Sequence, residues 1–174
     1  MRSTSNNLIA IIAASYLIQL FIPKLEEEFW ISGFDFQQGE YWRLFTVALV
    51  HGGFFHLGFN LYALHILGTP VELYFGRKKY IIVLLTSLIF GSLASALFND
   101  PFTASVGASG IVFGLFGSLA LVGERVGIEW RGIIGIVLVN FALGFVLGGI
   151  DWRAHVGGLL GGWFSSKLIL REYL

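Results

Sequence analysis

The chain contains no cysteine, which excludes disulfides and thiolate metal sites and leaves the compartment open. Charge is scarce. Only 13% of residues are charged, against about 25% in an average soluble domain, too few to cover a water-facing surface. Lysine plus arginine number 11 and the acids also number 11, for a formal net charge of zero, so no basic footprint for nucleic acid is present. Proline occurs only at Pro23, Pro70 and Pro101, each between apolar stretches, where a helix is expected to stop. What the chain does have is apolar bulk, 56% of residues, with a mean hydropathy of +0.77. Its 23 glycines fall inside apolar runs and not in polar linkers. Glycine is commoner in transmembrane helices than in soluble ones, because it lets backbones approach. The class is an all-α integral membrane protein.

Six apolar stretches reach or approach the roughly 20 residues needed to cross lipid. They are Leu8–Ile22, Phe54–Gly68, Tyr80–Phe98, Gly107–Gly123, Gly132–Gly149 and Ala154–Leu170. The first two are short, so their ends are expected to extend into the interface. No small-residue cleavage site follows the first stretch, which argues for a helix and against a signal peptide. With six spans both termini share a side, and that side carries Arg2, Arg77, Lys78, Lys79, Arg125, Arg131, Lys167 and Arg171. The other side holds Lys24, Arg43 and Arg153. The positive-inside rule then puts both termini in the cytoplasm. In the long connection after Pro23, "FWISGFDF" and "EYWRLF" read as interfacial segments.

Spans two, four and six all run inward from the outer face. Their opening residues are "HGGFFHLGFNLYALH", "GASGIVFGLFG" and "AHVGGLLGGW", so His56, Asn60, Ser109 and His155 gather in the outer part of the bilayer. Taken singly, Ser109 reads as a small packing residue and His155 as an interhelical hydrogen-bonder. His51, His65 and Asn140 read as structural. Together the four make a nucleophilic site. A serine nucleophile needs a base within reach and donors aimed at the developing oxyanion. Ser109 opens a helix, where backbone N–H groups lack partners; its own N–H, Asn60 and His56 are candidate oxyanion donors, and His155 is the candidate base. Phe113, four residues on, can flank the imidazole. His155, Gly158 and Gly162 share one helix face and Gly110, Gly114 and Gly117 form a smooth stripe beside Ser109, so the two helices are expected to pack closely.

These residues carry a resemblance. "HGGFFHLGFN" is similar to the His-x4-His-x3-Asn signature of the rhomboid intramembrane proteases, "GASG" to their Gly-x-Ser-Gly and "AHVGG" to the Ala-His motif of their last core helix. "YWRLFT" and "VELYFG" resemble their Trp-Arg loop element and Glu-x3-Gly turn. The resemblance covers about residues 6–172 and implies one rhomboid protease domain over 1–174, a six-helix core with nothing appended. It implies a Ser109–His155 dyad without a third acidic member, an oxyanion hole of His56, Asn60 and the Ser109 backbone, and an open approach kept by Gly107. It implies cleavage of single-span membrane proteins in the outer part of their helices, with no metal or other cofactor. Entry of the substrate past a mobile fifth helix and "GGIDWR", hinged at Gly148 and Gly149, is expected by the same analogy. Many bacterial rhomboids have tyrosine where this chain has Phe113; the ring can stack but the hydroxyl bond is lost.

Two other classes stay in view. A catalytically inactive rhomboid-like protein that binds membrane helices would lose Ser109 or His155, and both are present. A small transporter would show inverted repeats and acids at mid-membrane, but every acid falls in a terminus or a connection. The bilayer and transmembrane-helix substrates are the expected partners, and the plasma membrane of a prokaryote the expected location.

Overall fold

The computed structural model describes residues 3–129, 131–132, 134–135, 137–138 and 150–171. The expected hinge at Gly148 and Gly149, Asn140, Arg2 and most of the fifth stretch lie outside the described residues.

The described chain is helical. A first helix, α1 (Thr4–Phe21), is followed by three short ones, α2 (Lys24–Phe29), α3 (Gly33–Gln37) and α4 (Arg43–Thr46). Then come α5 (Phe54–Phe75), α6 (Arg77–Phe98), α7 (Ser109–Val122) and α8 (Trp152–Arg171). Among the described residues α1, α6 and α7 with its terminal 3-10 turn are long and apolar enough to cross a membrane, and α5 joins them if the bent pair Arg43–Leu49 and Phe54–Phe75 counts as one span. Their flanks are greasy: Leu17, Phe21, Phe59, Leu73 and Phe98 are exposed, as a lipid-facing surface requires.

The segment between α1 and α5 is pinned by Arg43, which is buried. Its guanidinium donates to the carbonyls of Glu27 and Trp30 at 2.7 and 2.9 Å and to the Glu40 carboxylate at 2.5 Å. Tyr41, Trp42 and Phe45 beside it remain exposed.

Two features of α5 depart from the sequence expectation. Pro70 does not end the helix but lies within it. Proline removes one backbone donor, here the partner of the Ile66 carbonyl, a loss that a helix in an apolar bundle tolerates; one residue back, the Thr69 hydroxyl donates to the His65 carbonyl at 2.7 Å. The extra turns also carry Glu72, so not every acid lies in a connection. The Glu72 carboxylate accepts from Ser3 Oγ at 2.6 Å, the Thr4 N–H at 2.7 Å, and the Ser5 N–H and Oγ at 3.2 Å. It thereby caps the exposed N–H groups at the start of α1, which is a structural duty. The chain then reverses at Gly76, whose φ of +74° only glycine adopts cheaply.

The centre of the bundle is a contact between backbones. A Cβ on Gly158 or Gly162 of α8 would strike the carbonyl oxygens of Gly110 and Gly114 on α7. One residue back, a Cβ on Gly157 would strike the Phe90 carbonyl of α6, and one on Gly161 would lie 2.7 Å from that of Thr86. Two adjacent glycine stripes on α8 therefore receive α7 and α6 simultaneously. This is the close approach that the glycine spacing led us to expect.

Candidate active site

Ser109 is the first residue of α7 and is half-buried. His155 lies in the first turn of α8 and is 5% exposed. Three contacts bring the two helix starts together. An ideal Cβ on Gly110 would sit 3.8 Å from the Ala154 carbonyl oxygen and one on Gly91 2.9 Å from it, so the residues flanking Ser109 and His155 meet across Gly91. Gly158, one turn beyond His155, rests on Gly110. The Phe113 ring, one turn beyond Ser109, stacks flat on the His155 imidazole, with centroids 3.9 Å apart and planes 9° from parallel. The stack fixes the plane of the imidazole.

The other two candidates come from α5. An ideal Cβ on Gly107 would lie 2.6 Å from Cε1 and 2.8 Å from Nε2 of His56, so this imidazole covers the segment two residues before Ser109. Gly107 has φ +113°, a region that disfavours any side chain; space and backbone thus both require glycine. Asn60 is buried, one turn below His56, and uses one amide hydrogen on the His56 carbonyl at 2.8 Å. Its second amide hydrogen is left for another acceptor.

His51 proves to be part of the framework. It is 1% exposed, its ring meets that of His56 edge to face at 5.1 Å, and its Nε2 faces the Ala108 N–H at 3.4 Å. The backbone of His51 is held in turn by Gln19 of α1, whose amide accepts from its N–H at 3.0 Å and donates to its carbonyl at 2.9 Å. Sequence reasoning passed over Gln19, although a glutamine inside an otherwise apolar helix was the available signal. The Gly107 N–H donates to the Val47 carbonyl at 2.9 Å, which ties the approach to Ser109 to the turn before α5. His65 faces outward and takes no part. Among the described residues no cluster of metal-ligating side chains occurs.

A helical bundle of membrane-spanning character, with a serine and a histidine at the touching ends of two helices, defines the class. The rhomboid domain family matches residues 38–172. Rhomboid protease GluP of Bacillus subtilis is 41% identical over 137 residues, 76% of this chain and 27% of that protein. The putative rhomboid protease YdcA of the same organism is 34% identical over 140 residues, 77% of this chain and 70% of that protein. Rhomboid-like protease 1 of Toxoplasma gondii is 34% identical over 145 residues, covering 78% and 50% respectively. The chain thus spans about a quarter of GluP and half of the Toxoplasma protein. It belongs to the rhomboid family of integral membrane proteins.

Proposed function

We propose that the chain is an intramembrane serine endopeptidase that cuts transmembrane segments of single-span proteins. Ser109 Oγ attacks the scissile carbonyl carbon while the His155 imidazole accepts the hydroxyl proton. The imidazolium then gives that proton to the leaving amine, and water, deprotonated by the same imidazole, releases the acyl group from Ser109. The oxyanion is met by the Ser109 N–H at the start of α7, by the Asn60 amide and by His56. A substrate helix must first unwind, because its amides are protected by internal hydrogen bonds. In the six-span arrangement, with both termini cytoplasmic, the site opens to the outer face of a prokaryotic plasma membrane.

The observation that carries this reading is the Phe113–His155 stack on the side of α7 that begins with Ser109. A helix-packing histidine needs no such constraint on its ring plane, whereas a general base does. The test is fluorophosphonate labelling of the detergent-purified protein beside Ser109→Ala and His155→Ala. Labelling in the parent that vanishes in both variants supports the dyad. A folded parent that stays unlabelled transfers the case to a catalytically inactive protein that binds membrane helices.

A further inference from the structure

Ser105 lies four residues before Ser109, and Asp151 lies four residues before His155. Their side chains meet: Ser105 Oγ donates to Asp151 Oδ2 at 2.6 Å. From the end of α6, Ser95 Oγ and Asn99 Nδ2 donate to the same oxygen at 2.5 and 2.9 Å. Each serine has one hydroxyl proton, so with both directed at the carboxylate, Ser95 Oγ accepts from Asn99 at 3.1 Å. The other oxygen, Oδ1, accepts the backbone N–H groups of Arg153 and Ala154, each at 3.1 Å, which makes Asp151 the N-cap of α8. The Arg153 guanidinium closes the ring on the Asn99 carbonyl oxygen at 2.8 Å. Ser105 is itself held by paired backbone bonds with Ile31, at 3.0 and 2.8 Å.

We propose that Asp151 is a positioning residue, whose carboxylate fixes the start of the base-bearing helix against the segment that presents the nucleophile. The inference deepens the peptidase reading and rests on it. Five donors occupy the two carboxylate oxygens, so Asp151 acts through Ser105 and the first turn of α8 and is not a third member of the dyad. The glycine stripes set how closely α7 and α8 approach, but smooth surfaces can slide along one another. A directional, charge-assisted tie at the helix starts removes that freedom. It sits one turn before His155 and four residues along the chain before Ser109, where a slip would separate them most directly.

The test is the rate of fluorophosphonate inactivation, resolved into a binding constant and a maximal rate, in the full chain and four variants. Asp151→Asn keeps a good helix cap but turns an amide NH2, itself a donor, toward the donors Ser95, Asn99 and Ser105. Ser105→Ala cuts the tie and leaves the cap alone, and Ser105→Thr restores the hydroxyl. We expect the maximal rate to fall about tenfold in Asp151→Asn and in Ser105→Ala, equivalent to about 1.4 kcal/mol, with the binding constant within about twofold. The double variant should lose no more than either single one, because one link is broken in each, and Ser105→Thr should recover the parental rate. Parental maximal rates in both single variants, or a thermal midpoint that falls while folded protein reacts normally, would assign the cluster to stability alone and overturn the proposal. An unlabelled parent would instead remove the peptidase reading, and this inference with it.

Discussion

Replacing Gly158 by alanine adds one methyl group where α7 and α8 meet backbone to backbone. The ideal Cβ would lie 2.8 Å from the carbonyl carbon and 2.9 Å from the Cα of Gly110, and closer still to its carbonyl oxygen. Ordinary carbon–carbon contact begins at about 3.5 Å, so α8 must retreat from α7 by roughly 1 Å. No side chain can swing aside, because everything struck is backbone. Such overpacking costs about 1–3 kcal/mol, and a backbone obstacle belongs at the upper end. Alanine regains about 1 kcal/mol of helix propensity over glycine, which leaves a net loss of about 2 kcal/mol. Gly58→Ala is the control, since nothing lies within 4 Å of its added Cβ and only the propensity gain of about 1 kcal/mol remains. The same chemical change should therefore lower the thermal midpoint in detergent at position 158 and hold or raise it at position 58. Retreat of α8 also carries His155 from Ser109, and a 1 Å misplacement costs on the order of a hundredfold in rate. Inactivation by a fluorophosphonate should slow by that order in Gly158→Ala and stay parental in Gly58→Ala. A Gly158→Ala protein with parental midpoint and rate would refute the backbone-contact account of the site.

Phe113→Ala removes the stacked ring, and with it about 0.5–1.5 kcal/mol of aromatic pairing; inactivation should slow by about threefold to tenfold, and Phe113→Tyr should retain the parental rate. Gly107→Ala adds a side chain at positive φ and against the His56 imidazole, so it should impair inactivation more than it lowers the thermal midpoint. Glu72→Gln replaces a carboxylate that serves four donors at the start of α1. Losing charge-assisted bonds there should lower the thermal midpoint by the equivalent of about 2 kcal/mol, while folded protein labels at the parental rate.

The parts of the molecule that were legible in the sequence are those governed by helical spacing inside apolar runs. A polar residue is costly in lipid, so Ser109, His155, His56 and Asn60 stood out, and their order along inward-running helices suggested that they belong together. The glycines of α7 and α8 were legible for the complementary reason that a missing side chain at regular spacing leaves a groove. Phe113 followed from a separation of four residues. Pro70 misled because the general rule ends helices at proline, whereas here α5 continues to a carboxylate that grips another helix. Asp151 carried a readable signal, an acid directly before a helix start. Its other partners, Ser95 and Ser105, are 56 and 46 residues away, and no local pattern announces such a meeting. The tie from Gln19 to the His51 backbone, across 32 residues, was hidden for the same reason.

The two halves of the candidate site are built by different physics. Ser109 and His155 sit on helices that touch through bare backbone, with Asp151 locking their starts, so this half has little room to adjust without loss. His56 and Asn60 stand on α5, and the segment before Ser109 is held by side-chain contacts and single bonds: the His56 ring over Gly107, the His51 ring toward Ala108, and the Gly107 N–H on the Val47 carbonyl. Such contacts can lengthen or rotate at modest cost. A nucleophile and its base must stay aligned through two proton transfers, whereas oxyanion donors need only meet the charge when it forms. In the proposed mechanism the stiffer construction therefore lies on the side where chemistry tolerates less displacement, and the more adjustable one on the side of the oxyanion donors.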